Sequence, residues 1–337
     1  MSKKIGNQTI VFENKPAVKG FYTIAGFKEG EGNFKDYFDM ILEDDKFGEK
    51  TFERAERKLI ETTIKYAIKQ AKLKEENIDL LIGGDLLNQI VSSSFSARQF
   101  NTTFLGLYGA CSTMAESLAV GACFVDGDYF KTVACSTGSH FSTAERQYRF
   151  PLELGNQRPP VSQWTVTGSG CTILSKNGKG PYIANATFGK VVDFGITDVN
   201  NMGAAMAPAA MDSFIAHFKD TNTTPKDYDL ILTGDLGKFG SEVFIDLMEH
   251  QGYKMGKNYC DCGQMMFNND QRTFQGASGA GCSALVLNSY IYKNMIKGKY
   301  KRVLFGATGA LLSTTTSQQG DSIPGICHIV EFRMEDK

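Results

Sequence analysis

Residues 79–86 read DLLIGGDL, and 150 residues later residues 229–236 read DLILTGDL, identical at five of eight positions. A second pair follows in the same order. GACSTMAESLAV from Gly109 leads to KTVACSTGS, and GASGAGCSALVL from Gly276 leads to KRVLFGATGA. Each runs from a Gly-Ala turn through an apolar helix and a Lys-x-Val strand to Thr-Gly. A repeat of this length is too long for a solenoid unit. It predicts two similar α/β halves, residues 1–175 and 176–337, packed on each other. At 337 residues the chain also exceeds what one hydrophobic core usually organises.

The stretch from Gly106 to His140 is the most informative within a half. Met114, Ala115, Leu118, Ala119, Ala122 and Val125 make a helix apolar on most sides, which reads as buried rather than amphipathic. Ala115, Ala119 and Ala122 give it a small-residue face that admits a neighbouring backbone. Cys111 sits at its head, with Ser112 and Thr113 suited to a helix start. Free N–H groups and the dipole there would favour a thiolate and lower its pKa. Cys111 is thus a nucleophile, the floor of an anion-binding pocket, or an inert buried thiol.

Thirty-six basic side chains balance thirty-seven acidic ones, giving no electrostatic basis for nucleic acid or a basic membrane patch. The eight cysteines form no CxxC pair and the four histidines are far apart, so no zinc site or other metal site is expected, and no cofactor. The N-terminal residues lack a signal peptide's apolar run, and no stretch is long and apolar enough to span a bilayer, so a soluble protein with reduced thiols is expected.

Along the chain, residues 8–12 read as a strand and 20–50 as a Gly-rich cap with an aromatic patch at Phe34, Tyr37 and Phe38. Residues 51–73 carry Leu59, Ile60, Ile64, Ala67 and Ile68 at helical spacing, with Thr51 placed to cap. Residues 79–86 read as a buried parallel strand, 203–219 as a helix, and 164–174 and 326–332 as the strands closing each half. Residues 141–164 show no helical period and read as a polar loop over the sheet ends. That loop carries Arg146, Arg149, Arg158 and Tyr148.

The duplicated halves, a cysteine heading a buried central helix, Gly168-Ser-Gly-Cys171 opening a strand, Met202-Gly203 with Ala207-Pro208-Ala209, and Gly276-Ala-Ser-Gly279 together resemble the thiolase-like superfamily. The resemblance implies a duplicated five-layer αβαβα fold and a homodimer, for which residues 100–108 offer an edge strand. It also implies a Cys nucleophile served by His and Asn, or two His. Cys111 matches the nucleophile. The second position falls on Gly234 or Asp235 and the third between Thr273 and Ala277, without His or Asn. The late Cys-x-Gly loop is Gly306-Ala-Thr-Gly309, without cysteine. Condensation needs a donor for the thioester oxyanion and a base for the proton, so a pseudoenzyme is expected. An active acyl-CoA or acyl-carrier condensing enzyme using Cys111 is the alternative.

The stretches TAERQYRFP, WTVTGSG, DFGITD, MGAAMAPAA, YDLILTGDL and TGALLS are similar, within that superfamily, to the stage V sporulation protein AD family. This resemblance implies binding of dipicolinate (pyridine-2,6-dicarboxylate), alone or with calcium, for uptake into the developing spore. Membrane proteins of the same transport system would be its partners, and the spore inner membrane its peripheral location. The flat dianion needs a slot and two anchors. N–H groups at Cys111 and Ser112 would hold one carboxylate and Arg146 or Arg149 the other. Ser136, Ser139, His140, Asp235 and Ser278 complete the expected set. Asp85 and Asp235, related by the repeat, also read as turn-capping carboxylates. His217, His250 and His328 read as structural.

Overall fold

A computed structural model describes residues 3–148 and 158–334. Ten strands form its main sheet path. They are β1 (Ala17–Ala25), β2 (Leu80–Gly84), β3 (Thr103–Gly106), β4 (Thr132–Ser139), β5 (Gly168–Ser175), β6 (Tyr182–Thr187), β7 (Leu230–Thr233), β8 (Tyr259–Asp261), β9 (Arg302–Ala310) and β10 (Gly325–Arg333). Their order is β8-β7-β9-β10-β6-β1-β5-β4-β2-β3. The first five strands and the last five follow one pattern. In each set the outer three strands are parallel, and the two inner pairings are antiparallel. The two sets meet through one pairing, Tyr182 with Ala17.

Helices complete the layers. Helix α1 (Phe52–Gln70) packs on β1, β5 and β4 from outside. It starts where the Thr51 hydroxyl accepts the Arg54 N–H at 3.3 Å, and it buries the apolar stripe read from its spacing. Between the two five-strand sets runs α2 (Thr113–Asp126). It touches β4 and β2 on one side and β9 and β10 on the other. Met114, Leu118 and Val125 are fully buried there, each worth about 1.5–3 kcal/mol. Helices α4 (Met202–Thr221) and α5 (Gly237–His250) pack together, α4 covering the outer face of β10 and β9. Helix α6 (Ala280–Val286) lies beside α2 in the central layer. The fold is the mixed α/β, five-layer arrangement that the thiolase-like resemblance implied.

Two expectations are corrected. The cap assigned to residues 20–50 begins inside β1, a strand at the centre of the molecule. Both its faces are covered, so no alternation marks it, and Gly20 lies where a Cβ would stand 2.7 Å from that of Ala71. Residues 141–148, read as loop, form helix α3 (Phe141–Tyr148). Its buried face holds Ser142, Thr143 and Glu145 beside Ala144, so no hydrophobic period announces it.

The turn before α2 is held by a close backbone approach. Ala110 has φ +50, a left-handed conformation costly for a residue with a Cβ. Gly309 of β9 lies so near that a Cβ there would stand 2.2 Å from the Gly109 carbonyl oxygen. Gly309→Ala is therefore expected to cost about 1–3 kcal/mol by forcing turn and strand apart, read as a lowered urea midpoint with an unchanged slope.

Candidate functional site

Cys111 lies in the short 3-10 turn Ala110–Ser112 that feeds α2, 5% exposed. The Ser278 Oγ stands 3.9 Å from the Cys111 Sγ. Ser278 belongs to the two-residue strand Ala277–Ser278, which pairs in parallel with Trp164–Thr165. Behind it stands Asp235, just past the end of β7. One Asp235 oxygen accepts from the Ser278 hydroxyl at 2.8 Å and the Gly279 N–H at 3.0 Å. The other accepts from the Thr308 hydroxyl at 2.9 Å. Cysteine, serine and aspartate thus form a line fixed by three segments from the two halves.

The electrostatics reverse the reading of an activated thiol. Burial pushes the Cys111 pKa well above its ordinary value, and the Asp235 charge pushes it further. The helix start does not offset this. The Ser112 and Thr113 hydroxyls donate back to the Gly109 and Ala110 carbonyls at 2.6 and 2.8 Å rather than capping α2. The Ser112 N–H is engaged by the Gly109 carbonyl at 3.0 Å. Asp235 is itself raised by burial, although its three donors favour the carboxylate.

The cavity at Cys111 holds about 30 Å³ and is lined by Leu86, Ala110, Cys111, Tyr148, Thr165, Met202, Ser278, Gly279, Ala310 and Leu312. That is room for a water or two. Of the sequence-derived set, Cys111 and Ser278 line it, with Asp235 behind. The other described members lie elsewhere. Ser112 faces its own turn. Ser136 Oγ donates to Gly170 O at 3.3 Å, and Ser139 Oγ donates to Val166 O at 2.7 Å while accepting from Gly281 N–H at 3.0 Å. His140 is held away by Asp45 O at 2.7 Å, the Ser142 N–H at 3.1 Å and the Phe52 ring. Arg146 pairs with Glu53 at 3.0 Å over Phe52, on the α1 side. Arg149 lies outside the described residues. Each displaced group already has an internal partner, which residue type alone could not reveal.

The two aspartates of the repeat have diverged. Asp85 caps its own turn, accepting from Leu87 and Ser93 N–H at 2.9 and 2.7 Å, whereas Asp235 reaches across to Ser278 and Thr308. Thr308 was missed by sequence reasoning, although the repeated Thr-Gly of residues 137–138 and 308–309 marks the position. Tyr148, Thr165, Met202 and Leu312 were also missed as lining residues; an apolar wall has no motif. His217 is structural, bonded to Thr187 and Tyr228 at 2.9 Å each. Among the described residues no group of three or more His, Cys, Asp or Glu could hold a metal ion.

The family profile described as Stage V sporulation protein AD matches residues 6–333. The Stage V sporulation protein AD of Bacillus subtilis (strain 168) is 46% identical over 330 residues, covering 98% of each chain. Among solved structures, a point variant of OleA from Xanthomonas campestris superposes with a TM-score of 0.63 at 12% identity, over 96% of this chain and 99% of that one. The 3-oxoacyl-[acyl-carrier-protein] synthase III of Aquifex aeolicus VF5 gives 0.57 at 13%, over 94% and 99%. Those two likenesses concern the fold.

The thiol's surroundings make a testable statement. With its folded pKa raised, Cys111 contributes stability that is present below the unfolded value near 9 and is lost as pH rises through the higher folded value. At pH 7.5, iodoacetamide is expected to alkylate Cys111 at least about tenfold more slowly than a free thiol. Peptide mass mapping over time checks this; labelling at the free-thiol rate would contradict the burial argument.

Proposed function

The chain belongs to the stage V sporulation protein AD family, and from that premise we propose that it binds dipicolinate for uptake into the developing spore and does not transform it. It takes the ligand alone or with calcium, working with membrane proteins of the same transport system at the spore inner membrane. What supports the reading is family membership over nearly the whole chain, together with the company Cys111 keeps. The residues lining the cavity include no imidazole, and the carboxylate behind it is occupied by three donors. A condensing enzyme needs a donor for the developing oxyanion and a base with a free lone pair in reach of the substrate. Among the described residues, no His or Asn lines the Cys111 cavity to take either role. No helix among them is long and apolar enough to cross a membrane.

Dipicolinate would enter above Cys111 and Ser278, between the Leu86–Tyr148 side and the Met202–Leu312 side. At about 30 Å³ the cavity has to widen first. Met202, unbranched and at the first turn of α4, is the side chain best able to swing. The Cys111 thiol would then face one carboxylate, and the Ser278 hydroxyl would turn its proton from Asp235 to join it.

Calorimetric titration with dipicolinate, picolinate, acetyl-CoA and acetoacetyl-CoA tests the proposal. Dipicolinate should bind saturably, picolinate about tenfold to a hundredfold more weakly for want of one carboxylate, and the thioesters not at all. Cys111→Trp should block the cavity while Cys111→Ser stays close to wild type. Turnover of acetoacetyl-CoA that disappears in Cys111→Ala would establish the condensing enzyme instead.

We also propose a homodimer through β3. This strand ends the sheet path, and Phe95 and Tyr108 beside it are 43% and 44% exposed. An open edge with apolar flanks is a pairing site for a second copy. Sedimentation equilibrium at micromolar concentration should give twice the chain mass, and Leu105→Pro on β3 should give the monomer. A wild-type monomer would refute the assignment.

A further inference from the structure

Apart from the Cys111 cavity, a pocket of about 300 Å³ opens beside the segment 264–276, which connects β8 and its following helical turn to Ala277–Ser278. Ligand cavities typically begin at about this volume. Its wall contains two cations, Lys238 and Arg272, two aromatic rings, Phe267 and Phe274, and the side-chain amides of Gln264 and Asn269. No carboxylate of the described residues forms an ion pair with Lys238 or Arg272. The nearest acid in sequence, Asp270, does not line the cavity; its own N–H bonds to Asn268 Oδ1 at 3.1 Å. Phe267 is 6% exposed and forms a floor, whereas Phe274 is left 42% exposed at the rim.

The rim is held in costly backbone geometry. Arg272 and Phe274 have φ +52 and +53, and Gly276 has φ +108. Left-handed φ at a bulky aromatic residue is rare, and such residues concentrate at ligand clamps and active sites. Gln275 fixes the segment from both sides. Its N–H and side-chain amide donate to Ser162 O and Pro160 O at 3.2 and 2.8 Å, and its carbonyl accepts the Lys238 N–H at 2.9 Å. The same residue therefore sets Arg272 and Phe274 on one side and Lys238 on the other. By contrast, in the larger basic cleft of about 490 Å³ at the seam of the two halves, Lys176 is paired with Asp128 and Lys15 lies over Tyr182, with Glu13 also in the wall.

We propose that the pocket between Lys238 and Arg272 is a second binding site, separate from Cys111, for a small flat dianion of the aromatic dicarboxylate class. The two cations face the two carboxylates, Phe267 and Phe274 cover the ring, and the amides of Gln264 and Asn269 supply further donors.

Benzene-1,3-dicarboxylate is the probe, titrated calorimetrically into the full chain carrying Cys111→Leu, which keeps the first cavity filled. Saturable binding of one equivalent is expected. Lys238→Gln and Arg272→Gln should each weaken it roughly tenfold, and the pair roughly a hundredfold. Phe274→Ala should weaken it with the cations intact. Lys238, Arg272 and Phe274 are all exposed, and thermal denaturation confirms that each variant is folded. Inorganic phosphate is the second arm. If it binds as tightly as the dicarboxylate, the pocket reads charge alone and the aromatic assignment is wrong. Undiminished binding in folded Lys238→Gln/Arg272→Gln overturns the site, as does absence of binding in the Cys111→Leu chain. Neither result bears on dipicolinate at Cys111, which is read in the wild-type chain against Cys111→Trp.

Discussion

Everything near Cys111 depends on one helix being sandwiched. Helix α2 is covered by both five-strand sets at once, so its small side chains are a steric requirement. Ala115, Ala119 and Ala122 are fully buried, and a Cβ at Gly121 would stand 2.8 Å from the Cys135 sulfur. The turn that launches the helix is pressed against β9 at Gly309 and adopts left-handed φ at Ala110 as a result. Burial on both sides then fixes the chemistry of the thiol. Desolvation disfavours its charged form, and the short 3-10 turn ahead of α2 engages the donors that would have favoured it.

The two halves repeat one strand-and-turn unit, and the aspartates that end its Gly-Asp turn have diverged. Both halves follow the middle strand of the parallel three with Gly-Asp. In the first half, Asp85 turns back to bond the Leu87 and Ser93 N–H groups. In the second, Asp235 is drawn into the seam by Ser278, Gly279 and Thr308. The seam is where strands of both halves meet the central helices, so a side chain there can address Cys111. Its pseudo-symmetric counterpart instead holds its own turn.

The arrangement separates two properties that a condensing enzyme combines. The cavity at the thiol is small and largely apolar, whereas the Lys238–Arg272 pocket carries two cations that no carboxylate of the described residues pairs with. Family membership supplies the biological setting, sporulation, and the geometry supplies the limits: a closed slot over a thiol whose pKa burial raises.

How much of this was legible beforehand follows from what leaves a pattern. The repeat marked two α/β units of the same strand order, the run of alanines marked a buried helix at Cys111, and the Leu59–Ile68 spacing marked α1. Those signals are local, set by backbone periodicity and small-residue packing. Strand β1 escaped because a strand covered on both faces shows no alternation, and α3 because its buried face is polar. The site was half legible. Cys111, Asp235 and Ser278 carried recognisable positions, but Ser112, Ser136, Ser139, His140 and Arg146 were chosen for their donors. Which donors are already engaged is decided by partners far along the chain, as with Arg146 and Glu53, 93 residues apart. The sequence determined the fold and the place of the thiol; only tertiary packing decided that its pKa is raised and not lowered, because desolvation depends on what surrounds an atom and not on what precedes it.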